Sequence, residues 1–381
     1  MRIGVLGAGI AGLVFAKGLE SSGHKICLYD AATRLRPIGA GVTLGPRSLG
    51  LLDAFGVEGR IREIGCAIGS AIVTDQHDTV LYEGEWPQPR MGALGGVSIL
   101  RADLQDVLVR SIENLNPRLG KKALDCEVFD DCAVVGFGDG SRESFDLVVS
   151  ADGINSMTAS TINPSQYGMD HGTMAYRALI PLARVIDELG AEPVVRLWVG
   201  ERKNFLCYPV QGGNTVYATA YVEKAELDAT SPAQVRARIA AEFEGWARPV
   251  AAMIGAMDEI SLRPITFRSP PERLYRKRIV GIGDAVHAIC SHSAQGANLA
   301  VESAVHLARA LSGVDGETVG TALREYEATH LDRVRYLHEY ALGVADHYHD
   351  PFGSDIASKV GALRARISSS QLTRTREASG V

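Results

Sequence analysis

Residues 3–30 read IGVLGAGIAGLVFAKGLESSGHKICLYD, and the order of residue types in this stretch decides the fold. Residues 3–6 form a short apolar run, as a buried strand requires. Gly7-Ala8-Gly9-Ile10-Ala11-Gly12 follows as a G-x-G-x-x-G turn, residues 13–22 continue as a helix, and residues 25–29 form a second strand that ends at Asp30. In such a strand–turn–helix–strand unit Gly7 makes the tight turn, Gly9 lets a pyrophosphate approach the backbone, Gly12 packs helix on sheet, and Asp30 meets ribose hydroxyls. Gly7, Gly9, Ala11, Gly12 and Asp30 are therefore candidate cofactor-binding residues. The unit by itself does not separate FAD from NAD.

The rest of the composition fits a chain built on such a unit. With 381 residues and 46% hydrophobic content it can bury a large core, and two domains are the soft expectation. Its 41 glycines favour tight turns and close backbone–ligand approach. A net charge of -6 argues against nucleic acid as the main partner. Cysteines 27, 66, 126, 132, 207 and 290 form no C-x-x-C pair, which fits reduced thiols rather than a disulfide frame or a metal site. No apolar stretch reaches the roughly 18 residues of a membrane span, so a cytoplasmic protein is expected.

Residues 279–304, IVGIGDAVHAICSHSAQGANLAVESA, are the second deciding stretch. An apolar strand ends at Gly283-Asp284, a loop follows, and a helix opens with Gln295-Gly296-Ala297-Asn298. A helix N-terminus carries unpaired N–H groups and about half a unit of positive charge, suited to an anion. Asp284 at the strand end suits the hydroxyls of a polyol chain. Taken alone, the pattern also describes a buried capping Asp in any α/β protein.

These residues resemble the GD motif of class A flavoprotein monooxygenases, the family of p-hydroxybenzoate hydroxylase and salicylate hydroxylase, written GDAAHxxxPxxGQGxN. Gly283, Asp284, Ala285, His287, Gln295, Gly296 and Asn298 match it, while Ser291 replaces its Pro and Ala294 its Gly. Two further stretches are similar to the family at family spacing. Residues 34–47 resemble its GAGI segment, with Arg36 inside it and Arg47 where the family has Asn. Residues 150–156, SADGINS, resemble its DG motif ADGxxSxxR, with Ala159 in the place of the motif's Arg. Arg101 opens a helix similar to the family's R-x-x-L-x-x-x-L, whose Arg contacts the FAD pyrophosphate region. A surface Arg on a generic amphipathic helix is the other reading of Arg101.

The resemblance implies an α/β fold: a Rossmann-like FAD-binding domain interleaved with a smaller, mostly antiparallel substrate domain, followed by C-terminal helices. The expected division is 1–72, 99–171 and 262–345 for the FAD-binding domain, 73–98 and 172–261 for the substrate domain, and 346–381 for a terminal helix and tail. Residues 71–84 read as a hairpin around Gln76-His77-Asp78 and residues 86–96 as a loop. Strands are expected at 122–126, 133–137, 145–149, 173–181, 194–199, 204–209 and 215–222, and helices at 231–243, where Ser231 caps Pro232, and at 322–345.

The resemblance further implies FAD, reduced by NADH or NADPH, with dioxygen adding at the flavin C4a as a C4a-hydroperoxyflavin and one oxygen atom passing to an aromatic or heteroaromatic ring. Arg36, Arg101, Asp152, Asp284, Gly296, Ala297 and Asn298 join the cofactor-binding set. Arg177, Tyr208 and Tyr217 on the second-domain strands are candidate substrate contacts, and Tyr176 and Tyr221 share those strands as packing residues or contacts. Arg47 is either a solvated first-turn residue or the partner of a substrate carboxylate. His292 is the candidate catalytic residue, since an imidazole exchanges protons near neutral pH; a loop histidine bonded only locally is the alternative. His287 is the weaker candidate. A flavin oxidase or dehydrogenase, or a flavin-binding protein without turnover, would share the fingerprint.

Overall fold

The computed structural model describes residues 1–35, 40–85, 95–113, 115–224 and 231–349. The strand Arg2–Leu6 lies inside a six-stranded sheet, flanked in parallel by Lys25–Asp30 and Leu147–Ser150. Ile279–Gly281 adds in parallel beyond Leu147–Ser150, and Tyr275–Arg276 closes that edge antiparallel. Ile3, Val5, Leu147, Val148, Val149, Ile279 and Val280 are fully buried, because helices cover one face of the sheet and Phe137 and Phe145 of a small three-stranded sheet pack on the other, against Tyr29 and Gly4, so an apolar run fits both faces. The helices Ile10–Gly18 and Gly296–Leu311 pack against each other so closely that a Cβ on Gly18 would lie 2.7 Å from the Cβ of Ala308.

A seven-stranded sheet forms the second layer. Its order is Ser261–Arg268, Gly168–Pro181, Thr215–Glu223, Lys203–Val210, Val194–Gly200, Ser70–Asp75 and Val80–Glu85. All neighbours are antiparallel except Val194–Gly200 with Ser70–Asp75. Residues alternate across a strand, so Phe205 and Cys207 enter a core with Val235, Ile239, Val250 and Met253 of the helices Pro232–Glu242 and Arg248–Ala256. Asn204, Leu206 and Tyr208 point to the opposite face, toward the first layer. Ser231 caps its helix with a reciprocal bond to Gln234, an arrangement worth about 1 kcal/mol.

The hairpin of 71–84 is present as Ser70–Asp75 and Val80–Glu85, and Asp78 in its turn takes φ 73°. The strand expected at 145–149 is instead two strands in two sheets. Arg142–Phe145 pairs with Ala133–Phe137, whereas Leu147–Ser150 joins the six-stranded sheet. Asp146 makes the break by accepting the Arg2 N–H at 2.6 Å. Ser261–Arg268 pairs with Gly168–Pro181, so the second sheet takes in residues beyond 261. Of the loop expected at 86–96, residues 86–94 lie outside the described residues and Gly96 already opens the strand Gly96–Leu100; of the segment expected at 346–381, residues 346–349 continue the helix Val319–His349 and the rest lie outside the described residues. Among the described residues no helix is long and apolar enough to cross a membrane.

Candidate active site

Between the two layers runs a cavity of about 320 Å³ that touches four of the sequence motifs at once, among them residues 40–43 of the 34–47 stretch. Gly9, Ile10 and Ala11 of the fingerprint, Ala151 and Gly153 of the DG turn, and Asp284, Gly296 and Ala297 of the GD stretch all line it, with Arg101 and Arg177. The fingerprint turn is held from behind. Asp30 accepts the Ala8 N–H and the Ala32 N–H, each at 2.8 Å, and Gln105 donates to the Ala8 carbonyl at 2.6 Å. Gly7 sits at φ 108°, and a Cβ on Gly12 would lie 2.0 Å from the Gly7 carbonyl oxygen, so the turn tolerates neither side chain.

Gly9 differs from these two. A Cβ there would meet only the Arg101 guanidinium, at 3.5 Å. The protein does not need the bare backbone for its own packing; the space between Gly9 and Arg101 is a cradle that a side chain would fill. The helix Ile10–Gly18 begins at this point with no side-chain cap and no acid in its first turn, leaving its N–H groups directed at the cradle. A pyrophosphate fits that donor set.

At the far end the helix Gly296–Leu311 also begins without a side-chain cap or a first-turn acid. The Asp284 carboxyl opens on the cavity, and protein surrounds it on its other sides. That enclosure raises its pKa above the ordinary value, while the Arg101 charge opposes the rise. Asn298 does not line the cavity. Its carboxamide donates to the Thr43 and Ala294 carbonyls at 2.9 and 3.1 Å and accepts the Gly45 N–H at 2.9 Å, tying the strand Gly41–Leu44 to the helix.

Beyond the helix start the cavity continues into a second, mostly apolar pocket of about 120 Å³ under the seven-stranded sheet. Thr43, Leu206, Tyr208, Tyr221 and Ala294 line both spaces. His292 lines the inner pocket, its ring 4.6 Å from that of Tyr221 and 5.3 Å from that of His171. The Tyr221 hydroxyl lies 3.4 Å from Ser291 Oγ. Ala294, in the place of a glycine, keeps the left-handed conformation at φ 54°, at a cost of about 1–2 kcal/mol. Tyr208 and Tyr217 are buried with raised pKa values, so both phenols remain protonated donors.

A family model described as "FAD binding domain" matches residues 1–341. The chain belongs to that family, and its cofactor is FAD. It is 28% identical to a 3-amino-4-hydroxybenzoate 2-monooxygenase of Streptomyces cremeus, over 96% of this chain and 92% of the relative. It is 30% identical to a 6-hydroxynicotinate 3-monooxygenase of Pseudomonas fluorescens, over 87% of this chain and 88% of the relative. Among solved structures, HpxO of Klebsiella pneumoniae in complex with FAD and uric acid superposes with a TM-score of 0.84 at 27% identity, covering 96% of this chain and 92% of that one.

Not every residue singled out in the sequence reaches the cavity. Arg36 lies outside the described residues. Arg47 is at neither space: its Nε lies 3.4 Å from the buried Glu302 carboxylate, which Arg333 also meets. A substrate carboxylate would compete there with Glu302, so the pairing corrects the reading of Arg47 as a substrate contact. Asp152 turns away from the cavity and accepts the Ser150 hydroxyl at 2.9 Å. Arg177 faces the cofactor cavity, where its Nε is buried without a hydrogen-bond partner. His287 is 1% exposed, and its pKa is pushed down to about 4 by burial.

Other contributors carried no readable signal or only a faint one. Tyr221 shares a strand face with Tyr217 at a spacing of four, which is the trace it left. Gln105 follows Arg101 by one helical turn. Arg268, at the end of its strand, braces the DG turn by donating to the Ile154 and Ser156 carbonyls at 2.8 and 3.2 Å. Asn204 and Tyr340, which also line the inner pocket, stand in no motif.

Proposed function

We propose that this protein is a single-component aromatic hydroxylase that uses FAD, a nicotinamide nucleotide and dioxygen to place one oxygen atom on an aromatic or heteroaromatic ring. The observation that carries this reading is the continuity of two spaces, a polar cradle built from dinucleotide motifs and an apolar pocket that opens from it beside His292 and Tyr221. The relatives named above act, by their names, on hydroxylated or heterocyclic rings, which supports it.

Bound FAD supplies the electron transfer and the activation of dioxygen. The chain supplies the rest. Arg101 and the N-terminus of Ile10–Gly18 hold the phosphates, and Asp284 accepts hydroxyl hydrogen bonds. The N-terminus of Gly296–Leu311 favours negative charge on its side of the cavity. The apolar wall of the pocket keeps water from the reacting ring. His292 takes the proton from a ring hydroxyl at its imidazole nitrogen, which makes the ring electron-rich, and Tyr221 holds that imidazole through a tilted ring contact.

The test begins with the flavin spectrum of the purified protein, followed by NAD(P)H consumption with phenols, aromatic acids and hydroxypyridines. Consumption stimulated by a ring that leaves oxygenated agrees with the proposal. Turnover that yields peroxide with every ring returned unchanged contradicts it and marks an oxidase.

A further inference from the structure

The inner pocket contains one polar group that neither packing nor the cradle explains. Asn204 lies in the strand Lys203–Val210, opposite Tyr221 in register, and is 1% exposed. Its Nδ2 is buried and has no hydrogen-bond partner, although the side chain lines the pocket. A buried amide N–H left unpaired is unfavourable, and native structures keep such groups where a ligand or ion satisfies them. The next two residues of the strand, Phe205 inward and Leu206 on the pocket face, are apolar, so the pocket side of the strand needs no amide for its own folding.

The charge around this amide narrows the choice of ligand. Among the described residues the pocket wall carries no Lys, Arg, Asp or Glu. Arg101 and Arg177 line the cofactor cavity instead, and Arg47 is engaged with Glu302. An aromatic carboxylate entering the inner pocket would lose its hydration without gaining a cation. A carboxamide presents a donor and an acceptor side by side, and rotation of the group exchanges them. The complement of that edge is another amide edge.

We propose that Asn204 determines substrate specificity by pairing with the N–H and C=O edge of an uncharged lactam-type heteroaromatic ring, a hydroxylated pyridone or its fused analogues, in preference to an aromatic acid. This rests on the aromatic hydroxylase reading and names the substrate class for it. The lactam edge docks on Asn204 while the opposite, electron-rich edge of the ring is left to face the cofactor cavity and the His292 side of the pocket.

The experiment uses the FAD-loaded protein and three probes of one ring size: a hydroxypyridone that is neutral at the assay pH, the matching benzenediol, and p-hydroxybenzoate. Dissociation constants are read from perturbation of the flavin absorbance, beside NAD(P)H consumption. Wild-type protein is expected to bind the pyridone at least about tenfold more tightly than either other probe. Asn204→Leu, of nearly equal shape, abolishes that preference while FAD content stays as in wild type. Asn204→Asp, which keeps the shape but loses the donor, also abolishes it. The proposal is overturned if p-hydroxybenzoate binds wild type more tightly than the pyridone, if Asn204→Leu retains the preference, or if no probe binds. Ring-stimulated NAD(P)H consumption by the diol or the acid in those cases leaves the hydroxylase reading standing, and its absence with all three probes removes that reading as well.

Discussion

The rings of His292 and Tyr221 lie 4.6 Å apart at an interplanar angle of 38°, and Tyr221 lines both the cofactor cavity and the inner pocket. The contact holds an imidazole on the pocket wall next to the start of the helix Gly296–Leu311. If that imidazole accepts the proton of a ring hydroxyl, His292→Gln lowers the hydroxylation rate by on the order of 10²–10⁴ with FAD retained. Tyr221→Phe, which keeps the ring contact, costs far less. The rate measured against pH for both variants checks this, and wild-type rates with an unchanged profile in His292→Gln exclude the role.

Arg101 faces Gly9 across the phosphate cradle. A charge-assisted hydrogen bond to phosphate is worth roughly 1.5–3 kcal/mol, so Arg101→Ala is expected to weaken FAD about ten- to hundredfold. Titration of the apoprotein with FAD measures it. Unchanged affinity would reduce Arg101 to a helix-surface residue.

The open backbone at Gly9 and the carboxyl at Asp284 mark the two ends of the cofactor cavity. Gly9→Val fills the cradle and Asp284→Ala leaves ribitol hydroxyls unpaired, at a cost of roughly 1–3 kcal/mol for the latter. Both variants are expected to purify depleted of flavin, with unfolding cooperativity intact. Full flavin occupancy in both would disprove the placement of FAD in this cavity.

Much of this arrangement was legible because backbone chemistry dictates it. The fingerprint turn, its closing Asp30 and the GD helix start require particular residues at fixed spacing; the turn and the helix start meet at one cavity, and Asp30 braces the turn from behind. The residues that shape the pocket follow no such rule. Asn204 and Tyr340 meet there because the seven-stranded sheet and the helix Val319–His349 fold against each other, and a lone amide in a strand looks like any other polar residue. Arg268 braces the DG turn from a distant strand, which no local pattern announces. The break at Asp146 was hidden because Phe145 and residues 147–149 are continuous in hydropathy. Their pairings, with Ala133–Phe137 on one side and Arg2–Leu6 on the other, show that they belong to different sheets.

His287 is buried, and neither ring nitrogen has a hydrogen-bond partner; its ring lies 6.5 Å from that of His330, whose pKa is also depressed by burial. As pH falls below 6.5 the unfolded chain takes up protons that the folded His287 refuses until about pH 4. The stabilisation is therefore complete above pH 6.5 and is lost toward pH 4, at up to about 1.4 kcal/mol per pH unit for each such histidine. Denaturant unfolding at several pH values between 7.5 and 5 (about the range that matters) should show stability falling with acid. His287→Leu should flatten that slope, and an equally steep slope in the variant would contradict the assignment.

On the proposed function, the two joined spaces deliver one atom of dioxygen to an aromatic ring. The direct measurement is turnover of the FAD-loaded protein under isotopically labelled dioxygen with a ring that stimulates NAD(P)H consumption. The account predicts one labelled oxygen atom in the product for each NAD(P)H consumed, and little peroxide. Unlabelled product, or peroxide in step with NAD(P)H and the ring unchanged, would contradict it.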